Sequence, residues 1–481
     1  MATDRTAVLA IPAAAALLLG PAIWNGYPIV FADTGTYLSQ AIHRYAGWDR
    51  PVFYSVFMLP LHQTVTLWPV IVTQALLTAG ILFVVSRTLL GRVSPAAFIA
   101  GAAALAIGTW LPWIVSELTP DVFTPLLILV LCLLAWVPER LSPWQRVGLI
   151  VLAAFMIASQ LSSLPLACVL LAVLAVLGHH RLHLRLPARP GPPTDRPRRW
   201  PLLVLPPALA LLALCGTNLA AHGRFAVSPF GNVFLLARVI YDGPGMTALR
   251  RDCPSAGWRP KWGLCPFLDS FPPTSDDFLW APDNPVNRAG GAKAVSRDAN
   301  AIILAAIVAD PLGEARAALS NTLEQLNRFA SGDGLNPWPD QVSPWIERDF
   351  PPREAAAYAA ARQQAGSLMV PQSLAGLHWA LALAGVAGCL LLLPVAIIRR
   401  APCAGFLLAV LIALPVSAAI TGSLSAPHER YQSRIMWLPP FIAVVSLAAL
   451  RRPPTGHHIG RHKALGAPGH EAPPGMRRAQ A

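Results

Sequence analysis

Apolar runs of about 20 residues, the length a helix needs to cross the hydrocarbon of a bilayer, recur along this chain and constrain its fold more than any other feature. Ten such runs fall near 7–24, 69–86, 95–115, 121–137, 147–163, 165–178, 201–220, 372–398, 402–421 and 435–450. Of the 481 residues 54% are hydrophobic and only 13% charged, against about 25% charged in a soluble domain, so a soluble fold is excluded. Peptide groups find no water inside a bilayer, so runs of this kind fold as helices. The expected class is an all-α polytopic membrane protein of about ten transmembrane helices. The 48 prolines and 34 glycines suit it, because membrane helices tolerate both and loops use them as breaks. The stretch 147–178 is broken only at 159–165; it reads as a tight hairpin between two spans, with a re-entrant loop as the alternative. Arg5 before the first run resembles the start of a signal peptide, but no clear small-x-small cleavage site follows before Trp24.

Basic residues are retained on the cytoplasmic side, so each short loop reports on orientation. Of the 37 Lys and Arg, 19 lie in segments on one side, including Arg87, Arg92, Arg140, Arg146, Arg399, Arg400 and the run Arg181 to Arg199. The opposite short loops hold four, Arg44, Arg50, Arg430 and Arg434. Both termini are therefore expected in the cytoplasm of a bacterial-type inner (plasma) membrane. The formal charge of +13 becomes a topology signal with anionic lipid headgroups as its partners. No nucleic-acid partner is expected.

The expected organisation is an N-terminal membrane module over 1–220 with a first external loop at 25–68, a large external (periplasmic) region over 221–371, three C-terminal membrane helices over 372–450, and a disordered basic cytoplasmic tail over 451–481. Cys253 and Cys265 fall in the external region, where the oxidising compartment permits a disulfide; the other five cysteines lie in apolar runs, and no paired C-x-x-C spacing marks a zinc or iron–sulfur site. The stretch 250–285 reads as irregular. From 297 to 329 the pattern is helical, interrupted at Asp310-Pro311, with Ile302, Ile303 and Ile307 and then Leu319, Leu323 and Leu326 on the apolar faces of two amphipathic helices. The whole region reads as a cap of mixed helical and irregular structure over a membrane-embedded site, too small and irregular for an independent enzyme domain.

Ionisable groups near hydrocarbon are costly and mark functional sites by default. Asp33 follows the first run, and Glu117 and Asp121 lie where the third run turns into the fourth. Four residues apart, the last two share a face if that turn is helical. Asp33 could serve instead as the N-cap of a short helix over 36–45, and Asp121 as the cap of the fourth span. The string 31–36, Phe-Ala-Asp-Thr-Gly-Thr, matches the aspartic-protease signature, but no second copy and no strand-rich context accompany it. At the far end, His428, Arg430 and Arg434 occupy the turn before the last run. Two arginines four apart suit bidentate binding of phosphate oxygens; the alternative is a headgroup anchor flanked by Tyr431 and Trp437. His43 and His62 are weaker candidates for metal or proton chemistry.

An opening span, Asp33 in the first external loop, and an amphipathic segment ending in Arg50-Pro51-Val52-Phe53-Tyr54 before the second span together resemble the GT-C superfamily of polyprenyl-phosphate-dependent integral membrane glycosyltransferases. The likeness covers about the first 140 residues, with Glu117 or Asp121 matching a second acidic position. It departs from the family in carrying one carboxylate rather than an acidic pair in the first loop, and the spans after the sixth match nothing specific. The resemblance implies a polyprenyl-phosphate-linked sugar as donor and transfer to an acceptor at the external face. Asp33 would then be the general base, with Glu117 or Asp121 orienting the acceptor or holding a divalent metal (magnesium or manganese) together with Asp33. Arg50, Tyr54, His428, Arg430 and Arg434 would bind substrate, the arginines stabilising the departing phosphate. A transporter or flippase with Glu117, Asp121 and Ser162-Ser163 along its path, or a non-catalytic scaffold, are the competing classes.

Overall fold

The computed structural model describes residues 8–179, 199–253 and 261–452. Among them the chain is helical and forms no strands, apart from one isolated parallel bridge between Ile29 and Glu117. Most of the basic loop at 181–199 and nearly all of the tail at 451–481 lie outside the described residues.

Each apolar run carries helix. The first is α1 (Ala10–Leu18), continued by a short turn of helix to Asn25 that ends at Gly26, where φ is +84°. The segment 25–68 contributes α2 (Ala32–His43) and α3 (Phe53–His62). Next come α4 (Trp68–Leu90), α5 (Pro95–Gly108), α6 (Phe123–Trp136), α7 (Pro143–Ser159), α8 (Ser163–His179) and α9 (Arg199–His222). The region after residue 221 folds as α10 (Asn232–Tyr241), α11 (Ala292–Ala309), α12 (Pro311–Asn327) and α13 (Pro339–Asp349), with shorter pieces between. The chain closes with α14 (Gln372–Ile398), α15 (Cys403–Leu424), α16 (Glu429–Ser433) and α17 (Leu438–Arg451). Among the described residues, five stretches are long and apolar enough to cross a membrane: Trp68–Leu90, Leu202–His222, Gln372–Ile398, Cys403–Leu424 and Glu429–Arg451. The remaining apolar runs form shorter helices, because Pro120, Ser142-Pro143, the Gln160–Ser162 turn and the Thr109–Trp110 break interrupt them.

The apolar faces of these helices build one large core around α6, whose residues from Phe123 to Ala135 are all buried. The region 221–371 divides in two. Its first part has a small core of its own, in which Val233, Leu236, Phe278, Val295 and Ile302 meet, and Cys253 and Cys265 are joined beside it as a disulfide with Cα atoms 5.4 Å apart. Its second part packs into the main core through Phe329, Val342, Ile346, Phe350 and Tyr358. The interruption at Asp310-Pro311 is real: Asp310 caps α12, its carboxylate accepting from the Gly313 N–H at 2.8 Å. Ile302 and Ile303 are buried, whereas Ile307, Leu319 and Leu323 are exposed.

Candidate functional site

Two loops far apart in sequence are zipped together by the single bridge. The Ile29 N–H donates to Ser116 O at 2.9 Å and the Leu118 N–H to Ile29 O at 2.8 Å, while the Thr34 hydroxyl donates to Leu118 O at 3.0 Å. The start of α2 is thereby fixed beside residues 116–121. Buried amides hold the arrangement from both sides. Gln74 Nε2 donates to Val115 O and Glu117 O. Gln363 accepts from the Val30 N–H and donates to Val30 O and Asn336 O, tying the first loop to residues 331–336. Such fully satisfied buried networks fix one geometry, because leaving any member unpaired is costly.

On this frame the carboxylates and arginines meet. Asp33 Oδ1 accepts from Arg50 Nη2 at 2.7 Å, and its Oδ2 from Arg430 Nη2 at 3.2 Å. Arg430 also reaches Asp121 Oδ2 at 3.5 Å, so one guanidinium bridges two carboxylates. Asp121 Oδ1 accepts from Arg434 Nη1 at 2.6 Å and from Gln160 Nε2 at 3.0 Å, and Arg434 Nη2 donates to Ser162 Oγ at 3.1 Å. Only 4% of the Asp121 side chain and 1% of Arg434 are exposed. Arg430 lies over the Phe31 ring, 4.0 Å from its centroid, a stacking that favours a cation. A narrow cavity opens beside these groups, lined by Trp110, Trp113, Glu117, Asp121, Arg430 and Arg434 together with Ser331, Gly334 and Leu335.

Neither carboxylate caps a helix. Asp33 lies inside the first turn of α2, where Thr34 instead accepts from the Phe31 N–H; a carboxylate there still gains from the helix dipole. Asp121 lies in a 3-10 turn before α6 and spends both oxygens on arginines and Gln160. The turn between Glu117 and Asp121 is extended at Thr119 rather than helical, so the two do not share a helix face, yet both line the cavity. Trp437 is fully buried, which removes it as a headgroup anchor. Tyr54 is also buried, its hydroxyl donating to Gln74 Oε1 at 2.5 Å; it backs Tyr37 at a ring distance of 4.9 Å and does not line the cavity. His428 stands outside as well, 3.7 Å from Asp276. His43 pairs with Asp349 at the surface, and His62 is buried, its imidazole pushed down to about 4 by loss of solvent.

Burial alone would raise the Asp33 carboxyl, but the charges of Arg50 and Arg430 overcome it and hold it at about 2. Asp33 is thus ionised at any physiological pH. Asp33 and Asp121 are paired with three guanidiniums, Arg50, Arg430 and Arg434, with Glu117 on the cavity wall beside them. No group of three His, Cys, Asp or Glu side chains among the described residues is disposed to hold a metal ion, and Arg430 occupies the position between Asp33 and Asp121 that a divalent ion would take. The donor set does not fit the expected magnesium or manganese.

Several neighbours of the site are not among the residues singled out from the sequence. Tyr37, one turn after Asp33, is buried, and its phenol is pushed upward by burial and by the Asp33 charge; the i, i+4 spacing could have found it. Gln160 and the loop Ser331–Leu335 are neutral or distant, and only the fold brings them in. No family model, no curated protein and no solved structure matches the chain.

Proposed function

We propose that this protein is an integral membrane transferase that moves a sugar from a polyprenyl-phosphate-linked donor to an acceptor at the external face of the membrane. The observation that carries the proposal is the convergence of Asp33, Asp121, Arg50, Arg430 and Arg434 from three remote parts of the chain. The proposal takes the ten helical regions as spans with both termini cytoplasmic, which puts all five groups at the external ends of their helices in a bacterial-type inner membrane.

The chemistry follows from the charges. A lipid-linked phosphate is an anion with several acceptor oxygens, and Arg430 presents two donors in a planar fork. When a phosphate takes Arg430, the Asp33 carboxylate loses one of the two partners that hold its proton affinity down, and the phosphate's own charge raises that affinity further. Donor binding therefore converts Asp33 from a spent ion-pair partner into a usable general base. It accepts the proton of an acceptor hydroxyl as that oxygen attacks the anomeric carbon. The bond between the anomeric carbon and the phosphate oxygen breaks, and the arginines stabilise the charge left on the phosphate. Arg434, with its carboxylate buried beside it, holds Asp121 in place and fixes the position of Arg430.

Asp33→Asn and Glu117→Gln variants, compared with wild type for cell-surface glycans at equal expression, test the reading. Loss of a glycan in either variant supports it. A normal glycan profile with both sinks it, and a defect in uptake or lipid flipping instead would favour transport.

A further inference from the structure

Helix α12 has its polarity inside out. Glu314 and Gln325 are buried, while Leu312, Leu319 and Leu323 are each more than half exposed. The preceding α11 ends in the same way, with Leu304, Ile307 and Val308 outward. In water this arrangement has the wrong sign, since leucines gain by leaving solvent and a carboxylate pays to leave it. The polar side of α12 faces protein partners. Glu314 Oε2 accepts from Arg238 Nη1 at 2.8 Å, Asn321 Nδ2 donates to Asp242 Oδ2 at 2.9 Å, and Gln325 exchanges two hydrogen bonds with the His428 backbone. Those bonds fix which face looks outward.

We infer that the α11–α12 elbow is seated in the outer leaflet, its exposed leucine stripe covered by lipid acyl chains. Continuity with a span supports that occupant. α12 lies against α15, so closely that a Cβ on Gly422 would stand 2.6 Å from Asn321 O, and α15 is one of the five stretches with the length and hydropathy of a membrane crossing. Among the described residues of 221–371, the other exposed large apolar side chains are Phe225 and Met369, beside the ends of α9 and α14, and Trp280. Apolar exposure in this region therefore concentrates where the chain meets its spans. Arg316, Ser320, Glu324 and Asn327 form a polar stripe next to the leucines, as in helices that lie in an interface with the apolar side about 5–10 Å below the headgroups. Seated there, α12 sets the height of the turn it clamps through Gln325, two residues before Arg430. The inference rests on the chain being a membrane protein in the orientation taken above and is independent of the sugar-transfer chemistry.

Single-site labelling of the full chain in phospholipid vesicles tests it. In a Cys168→Ser background, which removes the exposed native thiol, Leu312→Cys and Leu319→Cys are labelled with an environment-sensitive fluorophore. Asp283→Cys, on an exposed loop of the cap, serves as reference, and Leu323→Cys replaces either leucine position that does not fold. The expected result is blue-shifted emission at 312 and 319, quenched by lipids with nitroxides on their acyl chains and insensitive to iodide, with the reverse at 283. Quenching by iodide at 312 and 319, as at 283, would overturn the inference. Insensitivity to both quenchers would also overturn it, since a protein partner would then cover the stripe.

Discussion

Asp121 receives two arginines and an amide on a carboxylate that is almost wholly out of solvent. Removing one member of such a buried pair strands the other, at a cost of about 3–5 kcal/mol. Asp121→Asn is accordingly expected to lower thermal stability by about that amount, and combining it with Arg434→Met to recover part of the loss, as read from unfolding of the purified protein in detergent. Asp33 gives a pH signature. Its folded value of about 2 lies below the ordinary 3.8, so the stabilisation is complete above 3.8 and is lost as pH falls from there through 2. Wild-type melting temperature should drop over that window, and Asp33→Asn should remove this component of the drop; an unchanged profile would contradict the ion-pair account. The charged members of the site were legible in the sequence because ionisable groups beside hydrocarbon are costly and stand out there. Tyr37, Gln160 and Gln363 were not, since neutral polar residues carry no such penalty and their partners are up to 333 positions away.

The interlocking of α2 with α13 is specified by a single missing side chain. Gly35 lies against the Gln341 carbonyl, and a Cβ there would collide with backbone that has no flexible end to swing aside. Gly35→Ala should destabilise the protein by about 1–3 kcal/mol through overpacking and displace α13 from the first loop, which limited proteolysis of residues 331–349 would register. A wild-type digestion pattern and melting temperature would count against this packing. Helices were visible in the sequence as apolar runs; which face each buries was not. In α12 the expected apolar side, Leu319 and Leu323, is the exposed one, because Arg238 on α10 and Asp242 just after it take the polar side for themselves. A hydrophobic stripe fixes that a face avoids water, and it leaves open whether protein or lipid covers it.

Across the whole molecule, the distribution of basic residues sets the expected orientation, and the fold adds what ties the parts together. The loop at 25–68, the turn at 116–121, the 331–336 loop and the turn before α17 meet through the Ile29 bridge, the Gln363 bonds and the arginine pairs. No local pattern announced that the second half of the 221–371 region enters the main core, because Phe329, Ile346 and Tyr358 are too widely spaced to mark a span. The central claim is that this junction binds a phosphate-bearing lipid and its sugar. Mass spectrometry of lipids co-purified with the full chain tests it most directly, comparing wild type with Arg430→Gln at equal amounts of folded protein. The account predicts a polyprenyl-phosphate sugar with wild type and its depletion from the variant; an equal yield of that lipid from both, or none from wild type, would contradict it.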